Sequence, residues 1–279
     1  IRSEYDPSDV VVHLHGFYIV PMLAGALSEY NTVSVYNLLL SPRMDLTGEH
    51  TDPMYDTIRA AEVLSIHANG KIQAITPGMK DEILEVGSYL ADRQVRRNVR
   101  NMADFFGIDF DQIEAEAGSL DDRVMVVPHG IGMEFYIIHE RPQNPDRVVA
   151  WGRVSPEKGF EYLIEAAEGF PDKEFLIFGT VDDTERARQD YTSLLESMAS
   201  DLDNVTLDFR KGGIRGGELM AKIDSAAIVA MPSLYEPFGL VNVEALARGR
   251  PVITTTTTGG RYIMETEEPA RRDYGYVVD

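Results

Sequence analysis

Glu236 and Glu244 bracket a glycine, Gly239, where an apolar run gives way to helical spacing. Glycine lets a backbone approach a ligand closely, and the first turn of a helix offers N–H groups without partners, so the segment between the two carboxylates suits an anion. Two carboxylates would repel an isolated phosphate, but they fit hydroxyls on either side of one, a sugar on one flank and a ribose on the other. The plainer alternative makes Glu236 a capping or solvated residue and Glu244 an exposed helix residue. A second constellation, Gly152-Arg153-Val154-Ser155-Pro156-Glu157-Lys158-Gly159, lies between an apolar run and another helical pattern. At the carboxyl end of a strand in a doubly wound sheet, where ligands bind, Arg153 would grip phosphate oxygens as a fork and Lys158 as a point charge. The alternative is a pair of surface cations. His13 and His15 close the first apolar run, and on a strand both imidazoles would share a face. As a metal pair they lack a third ligand nearby, and a satisfied core histidine is the default reading of either.

The elements that must position these groups follow from periodicity. Ala226 to Met231 and Val252 to Thr255 are short apolar runs of the buried-strand kind, and Leu240, Val243, Glu244 and Ala247 fall at helical spacing before Gly249 and Pro251 stop the helix. Upstream in the same half, strands are expected at 148–151, 174–178 and 205–209. Helices are expected around Phe160 to Ala167, around Leu194 to Met198 and over 218–223. In the first half, strands are expected at 10–14, 32–36, 72–75 and 123–127, with helices over 18–30, from the Asp52-Pro53 start to 66, and after Thr76-Pro77. A loop is expected from Leu38 to Glu49, and a mostly helical stretch from Gly87 to Leu120 gathers Arg93, Arg96, Arg97 and Arg100 on one side, the pattern of a solvated face. Arg141-Pro142-Gln143-Asn144-Pro145 is the best linker, dividing the chain into 1–140 and 146–279. Strands alternating with helices imply parallel sheets covered on both faces.

Composition narrows the function classes. A formal net charge of −20 over 279 residues argues against nucleic acid and anionic membrane as partners. The 23 Asp and 23 Glu stand against 20 Arg and only 6 Lys, a bias that suits a protein working at high salt, where surface repulsion is screened. The denaturation midpoint is accordingly expected to rise from low to molar salt; a midpoint indifferent to salt would remove the idea. Without cysteine there is no disulfide framework, thiol nucleophile or zinc-thiolate site, and a reducing cytoplasm is the expected location. No apolar run approaches the ~18 residues of a membrane span.

The string Glu236-Pro237-Phe238-Gly239-Leu240 through Glu244-Ala245, with Ser233 before it and Gly259-Gly260 after it, resembles the E-x7-E signature of the retaining GT-B glycosyltransferases of family 4, glycosyltransferase group 1. The GR-x4-KG loop resembles that family's diphosphate-binding loop. The resemblance implies two Rossmann-like doubly wound domains facing each other across a cleft, and transfer of a hexose from a nucleoside diphosphate sugar to an acceptor hydroxyl. It implies that Glu236, with the amides of Phe238, Gly239 and Leu240, holds the donor sugar, and that Glu244 takes the ribose. Arg153 and Lys158 would stabilise the departing diphosphate, and His15 would sit against the sugar. Lys211 and Gly212, in Arg210-Lys211-Gly212-Gly213, would lie near the base and phosphates, although a solvent loop explains them equally. Pro128-His129-Gly130-Ile131 resembles a family turn that more often carries Asn where His129 stands. No metal or other cofactor is expected, since the leaving phosphate takes the acceptor's proton in the family scheme. Family members are longer, so the chain is expected to be truncated at both ends. Alternatives are a nucleotide-sugar epimerase of the same fold, a non-catalytic nucleotide-sugar-binding fragment and, least favoured for want of a G-x-G-x-x-G after a strand, a Rossmann dehydrogenase.

Overall fold

The computed structural model describes residues 6–15, 23, 27, 30–36, 39–47, 54–68, 70–136, 144–181, 186–266 and 270–279. Gly16, the start at Asp52-Pro53 and nearly all of the helix expected over 18–30 lie outside these residues. The chain divides into two compact units, 1–128 and 129–279. That division falls before the proline-bearing stretch at 141–145, part of which lies outside the described residues. The reason is packing: Phe135 is buried in the core of the second unit, and the Arg248 guanidinium donates to the Glu134 carbonyl at 3.3 Å.

The first unit runs β1 (Val11–His15), β2 (Asn31–Tyr36), α1 (Leu40–Thr47), α2 (Tyr55–His67), β3 (Lys71–Ala74), α3 (Pro77–Ser88), α4 (Arg93–Phe106), α5 (Phe110–Glu116), α6 (Leu120–Arg123) and β4 (Val124–Val126). The four strands form a parallel sheet in sequence order, with His15 opposite Val35 and Tyr36 opposite Ala74. Local signals set several of these elements. Thr76 caps α3 by accepting from the Met79 N–H at 3.0 Å, with Pro77 in the first turn. Asp92 caps α4 by accepting from Gln94 and Val95, and Val95, Val99 and Ala103 form its buried stripe. The arginines of α4 behave as a solvated face: Arg96 pairs with Glu114, and Arg100 lies 3.5 Å from Asp111 and 3.6 Å from Glu114, all on α5.

One expectation fails here. Residues 40–47 are the helix α1, not a loop. Its first turn is capped from a distance: the buried Glu62 of α2 accepts from the Leu40 N–H, from the Ser41 N–H at 3.1 Å and from the Ser41 hydroxyl at 2.5 Å. A carboxylate at a helix N-terminus satisfies orphan N–H groups and meets the positive end of the dipole. Burial nevertheless pushes the Glu62 carboxyl above its usual range.

The second unit runs β5 (Arg147–Arg153), α7 (Phe160–Glu168), β6 (Glu174–Thr180), α8 (Arg186–Ala199), β7 (Val205–Arg210), α9 (Gly216–Asp224), β8 (Ile228–Met231), α10 (Leu240–Ala247), β9 (Val252–Thr255), α11 (Thr258–Met264), β10 (Ala270–Arg272) and β11 (Gly275–Val278). The sheet order is β10-β11-β9-β8-β5-β6-β7, parallel throughout except for β10 on β11. From β5 the chain winds to β6 and β7 on one side, then returns to β8 and winds outward on the other. Strand order therefore reverses between β5 and β8. In open α/β sheets the crevice at the carboxyl ends of two such strands is where ligands bind. Val149, Phe160, Ile164, Ile177, Phe178, Leu195 and Val229 hold this frame together, each almost fully buried. Burying a side chain of the Val, Ile, Leu or Phe kind contributes about 1.5–3 kcal/mol.

Candidate active site

The two loops that leave β5 and β8 at the reversal point are built against each other by the backbone. Val154 is buried and donates to the Thr180 carbonyl at 2.9 Å, turning the chain into a short 3-10 turn, Pro156–Lys158. The Glu157 carbonyl then accepts from Leu234 at 2.9 Å and from Tyr235 at 3.3 Å, joining the first loop to the second. Gly159 is required where they meet. It has φ +63°, and a Cβ there would lie 2.2 Å from the Pro232 carbonyl oxygen. No L side chain fits that space without moving the backbone.

This scaffold brings Lys158 and Glu236 together. The ammonium lies 2.6 Å from Oε2 of Glu236, with side chains 13% and 15% exposed, so the pair is largely withdrawn from water. Oε1 of Glu236 accepts from the Gly239 N–H at 3.0 Å, and the Glu236 carbonyl accepts from Gly259 at 2.7 Å. Gly239 adopts φ +87° at the start of α10, a conformation natural only to glycine. Glu236 is therefore both the counter-ion of Lys158 and the acceptor of the Gly239 N–H that precedes the first turn of α10. The Gly239 amide, expected to face a donor sugar, is occupied by Glu236 in this structure. Phe238 is buried, with its ring edge-on to His129 at 5.3 Å between centroids, and Leu240 is exposed.

Arg153 sits at the end of β5 with 43% of its side chain exposed, 3.3 Å from the buried carboxylate of Glu157. Glu244, one turn into α10, is half-buried rather than exposed, and its Oε2 accepts from the indole N–H of Trp151 at 3.3 Å. Burial raises the Glu244 carboxyl above its usual range, and the Trp151 hydrogen bond partly offsets this.

Within the second unit, the other expected residues are not part of this group. Lys211 and Gly212 form an exposed turn after β7, at the same end of the sheet but separated from β5 by the intervening β6. The neighbouring Arg210 is held by Asp208 at 2.6 Å and Glu218 at 2.9 Å. His15 is exposed at the end of β1 in the first unit, with His13 likewise exposed. Among the described residues no cluster of three or more His, Asp or Glu side chains is arranged to hold a metal ion, and no helix is long and apolar enough to cross a membrane. A cavity of about 610 Å³ is also present in the second unit, lined mainly by apolar residues such as Phe175, Ile228, Ile253 and Val278. It includes none of Arg153, Lys158, Glu236 or Glu244.

Sequence reasoning missed Trp151, which reads as one more apolar residue of a buried strand. Its signal was available: it is the only tryptophan of the chain, and it directly precedes Gly152-Arg153. The contact of His129 with Phe238 had no such signal, because it joins residues far apart in the chain.

A family model for glycosyl transferases group 1 matches residues 135–279, slightly more than half of the chain. The alpha-maltose-1-phosphate synthase of Mycolicibacterium smegmatis is 24% identical over 255 residues, 89% of this chain and 60% of that protein. The D-inositol 3-phosphate glycosyltransferase of Mycobacteroides abscessus is 39% identical over 119 residues, 41% of this chain and 25% of that protein. Among solved structures, sucrose-phosphate synthase from Thermosynechococcus elongatus superposes with a TM-score of 0.63 at 19% identity, covering 96% of this chain and 60% of that one. The trehalose-6-phosphate structure from E. coli, bound with UDP-2-fluoro glucose, gives a TM-score of 0.66 at 14% identity, covering 93% and 61%. At such identities the structures establish the fold, an α/β architecture of parallel sheets of the GT-B kind. The chain spans about 60% of the length of the M. smegmatis relative. With the family model matched over the unit that holds Arg153, Lys158, Glu236 and Glu244, the chain belongs to the glycosyl transferases group 1 family.

Proposed function

We propose that this chain carries the donor site of a retaining glycosyltransferase of family 4, which moves a hexose from a nucleoside diphosphate sugar to an acceptor hydroxyl. The observation that carries the reading is the meeting of Lys158 and Glu236 at 2.6 Å where strand order reverses, with Arg153 at the end of β5 and Glu244 one turn into α10. Two cations and two carboxylates so placed match a diphosphate between two hydroxyl-bearing groups. Arg153 and Lys158 neutralise the diphosphate as negative charge develops on it, the electrostatic contribution that usually dominates such catalysis. When the ammonium turns from Glu236 to phosphate, one carboxylate oxygen is released for hydroxyls of the sugar. Glu244 accepts from the ribose. The bond from the anomeric carbon to the diphosphate oxygen breaks, a bond to the acceptor oxygen forms on the same face, and the acceptor's proton passes to the departing phosphate. That scheme uses no protein base, metal ion or other cofactor. Relatives are in keeping with it, one being an alpha-maltose-1-phosphate synthase and one structure being bound with UDP-2-fluoro glucose.

The test supplies UDP-, ADP- and GDP-glucose with a panel of hydroxyl-bearing sugars and follows nucleoside diphosphate release, with the anomeric configuration of the product read by proton NMR. An α-linked product and equimolar nucleoside diphosphate are expected. Inversion to a β-linked product would rule out retention. Isomerised nucleotide sugar without transfer would favour an epimerase, and binding without turnover a non-catalytic module.

A further inference from the structure

We propose that Trp151 is the positioning residue of Glu244, its indole N–H setting the plane of the carboxylate that receives the vicinal hydroxyls of a ribose. The inference rests on the assignment of Glu244 to a ribose. A carboxylate binds a vicinal diol well when its two oxygens face the two hydroxyls together, yet the last torsion of a glutamate is broad and has no strong preference of its own. Something must hold it.

Trp151 can do so because it is itself held by packing. It is 6% exposed on β5, next to β6, and its ring lies parallel to that of Phe178, with centroids 5.8 Å apart and planes within 3°. Indole has a single donor and no acceptor, so a carboxylate is the natural partner for it. That donor meets Oε2 of Glu244 at 3.3 Å, leaving Oε1 and the second lone pair of Oε2 for a ligand. The bond also favours the ionised carboxylate against the burial that opposes it. A phenyl ring in place of the indole keeps an aromatic side chain beside Phe178 and removes the donor, along with part of the buried ring volume, so the readout must separate the lost hydrogen bond from lost packing.

The experiment compares UDP, ADP and GDP with their 2′,3′-dideoxy counterparts by calorimetry in the unaltered protein and in Trp151→Phe. The unaltered protein is expected to prefer the ribonucleotide by roughly 10- to 100-fold, the range for hydrogen bonds to a charged group. In Trp151→Phe that preference falls by about fivefold or more while affinity for the dideoxy compound is unchanged, a split that loss of packing alone would not produce. Glu244→Gln serves as the reference for a damaged carboxylate and should lose the preference to a similar or greater extent. If Trp151→Phe keeps the full preference, or loses affinity equally for both nucleotides, the positioning role is overturned and the ribose assignment stands. If the unaltered protein shows no preference, both fall. A second readout needs no variant: because Trp151 is the only tryptophan, its fluorescence should shift on saturation with the ribonucleotide and not with the dideoxy analogue. Equal shifts would contradict the proposal.

Discussion

Exchanging Lys158 for alanine lowers kcat/KM for sugar transfer by about 10²–10³-fold, the cost of removing one preorganised charge aimed at a developing anion. The structure gives this residue little slack. Its ammonium is 13% exposed, and its loop is fixed at both ends, by Gly159 packed against the Pro232 carbonyl and by the hydrogen bonds from Leu234 and Tyr235 to Glu157. Arginine is not expected to rescue the rate. A planar fork is larger than an ammonium and would have to be accommodated where the point charge meets Glu236 at 2.6 Å. A merely structural ion pair makes a different prediction. If Lys158 only neutralised Glu236, then Lys158→Ala combined with Glu236→Gln would recover the activity of Glu236→Gln alone. The proposed role requires the double variant to remain deficient by the full Lys158 effect. Steady-state kinetics with a saturating acceptor, alongside thermal melts, distinguish the two, and a loss below about fivefold for Lys158→Ala would sink the assignment.

Asp224→Ala destabilises the second unit by about 3–5 kcal/mol, the cost of breaking a buried ion pair by removing one partner. The side chains of Arg248 and Asp224 are 3% and 7% exposed, and the guanidinium grips both carboxylate oxygens, with Nε 2.6 Å from Oδ1. Two parallel bonds of this kind are geometrically demanding and correspondingly strong. Arg250 lies alongside, 2% exposed, donating to the carbonyls of Arg248 and Ala226 at 3.2 Å each. Burial holds the Arg250 guanidinium below the usual arginine range, and the charge of Asp224 opposes that shift. Removing Asp224 therefore leaves the buried Arg248 guanidinium without its carboxylate and takes away a charge that favours the Arg250 guanidinium. The damage should reach the segment before β5, because Arg248 also binds the Glu134 carbonyl. Urea unfolding checks this; a change under about 1 kcal/mol would mean that the pair relaxes into solvent when broken.

Much of the second unit was legible in the sequence because its signals are local. Ala226 to Met231 and Val252 to Thr255 are apolar runs, each with a proline at one end, and β8 and β9 lie within them. The helix between them stops at Gly249 as its spacing implies. The pairing of Lys158 with Glu236 joins residues from different loops, so residue types alone could nominate both without bringing them together. Helix α1 was illegible for the same reason: its cap, Glu62, comes from another helix. Nothing in the sequence marks Asp224, Arg248 and Arg250 as buried, because charged residues are seldom fully buried; the ion pair from the end of α9 to Arg248, just past α10, and the bond from Arg248 to Glu134 make them a core cluster. Trp151 hid in the opposite way, as an apolar residue in an apolar run whose single polar atom does the relevant work.

The central claim, a nucleoside diphosphate site at the strand-order reversal of the second unit, is tested most directly by calorimetric titration with UDP, GDP and ADP at low and at molar salt, with Arg153→Ala as control. The account predicts binding of one nucleotide at a single site, weakened at least tenfold in Arg153→Ala, as expected when a charge-assisted phosphate contact is lost. Binding of none of the three under either salt condition, or equal binding by Arg153→Ala, would contradict it.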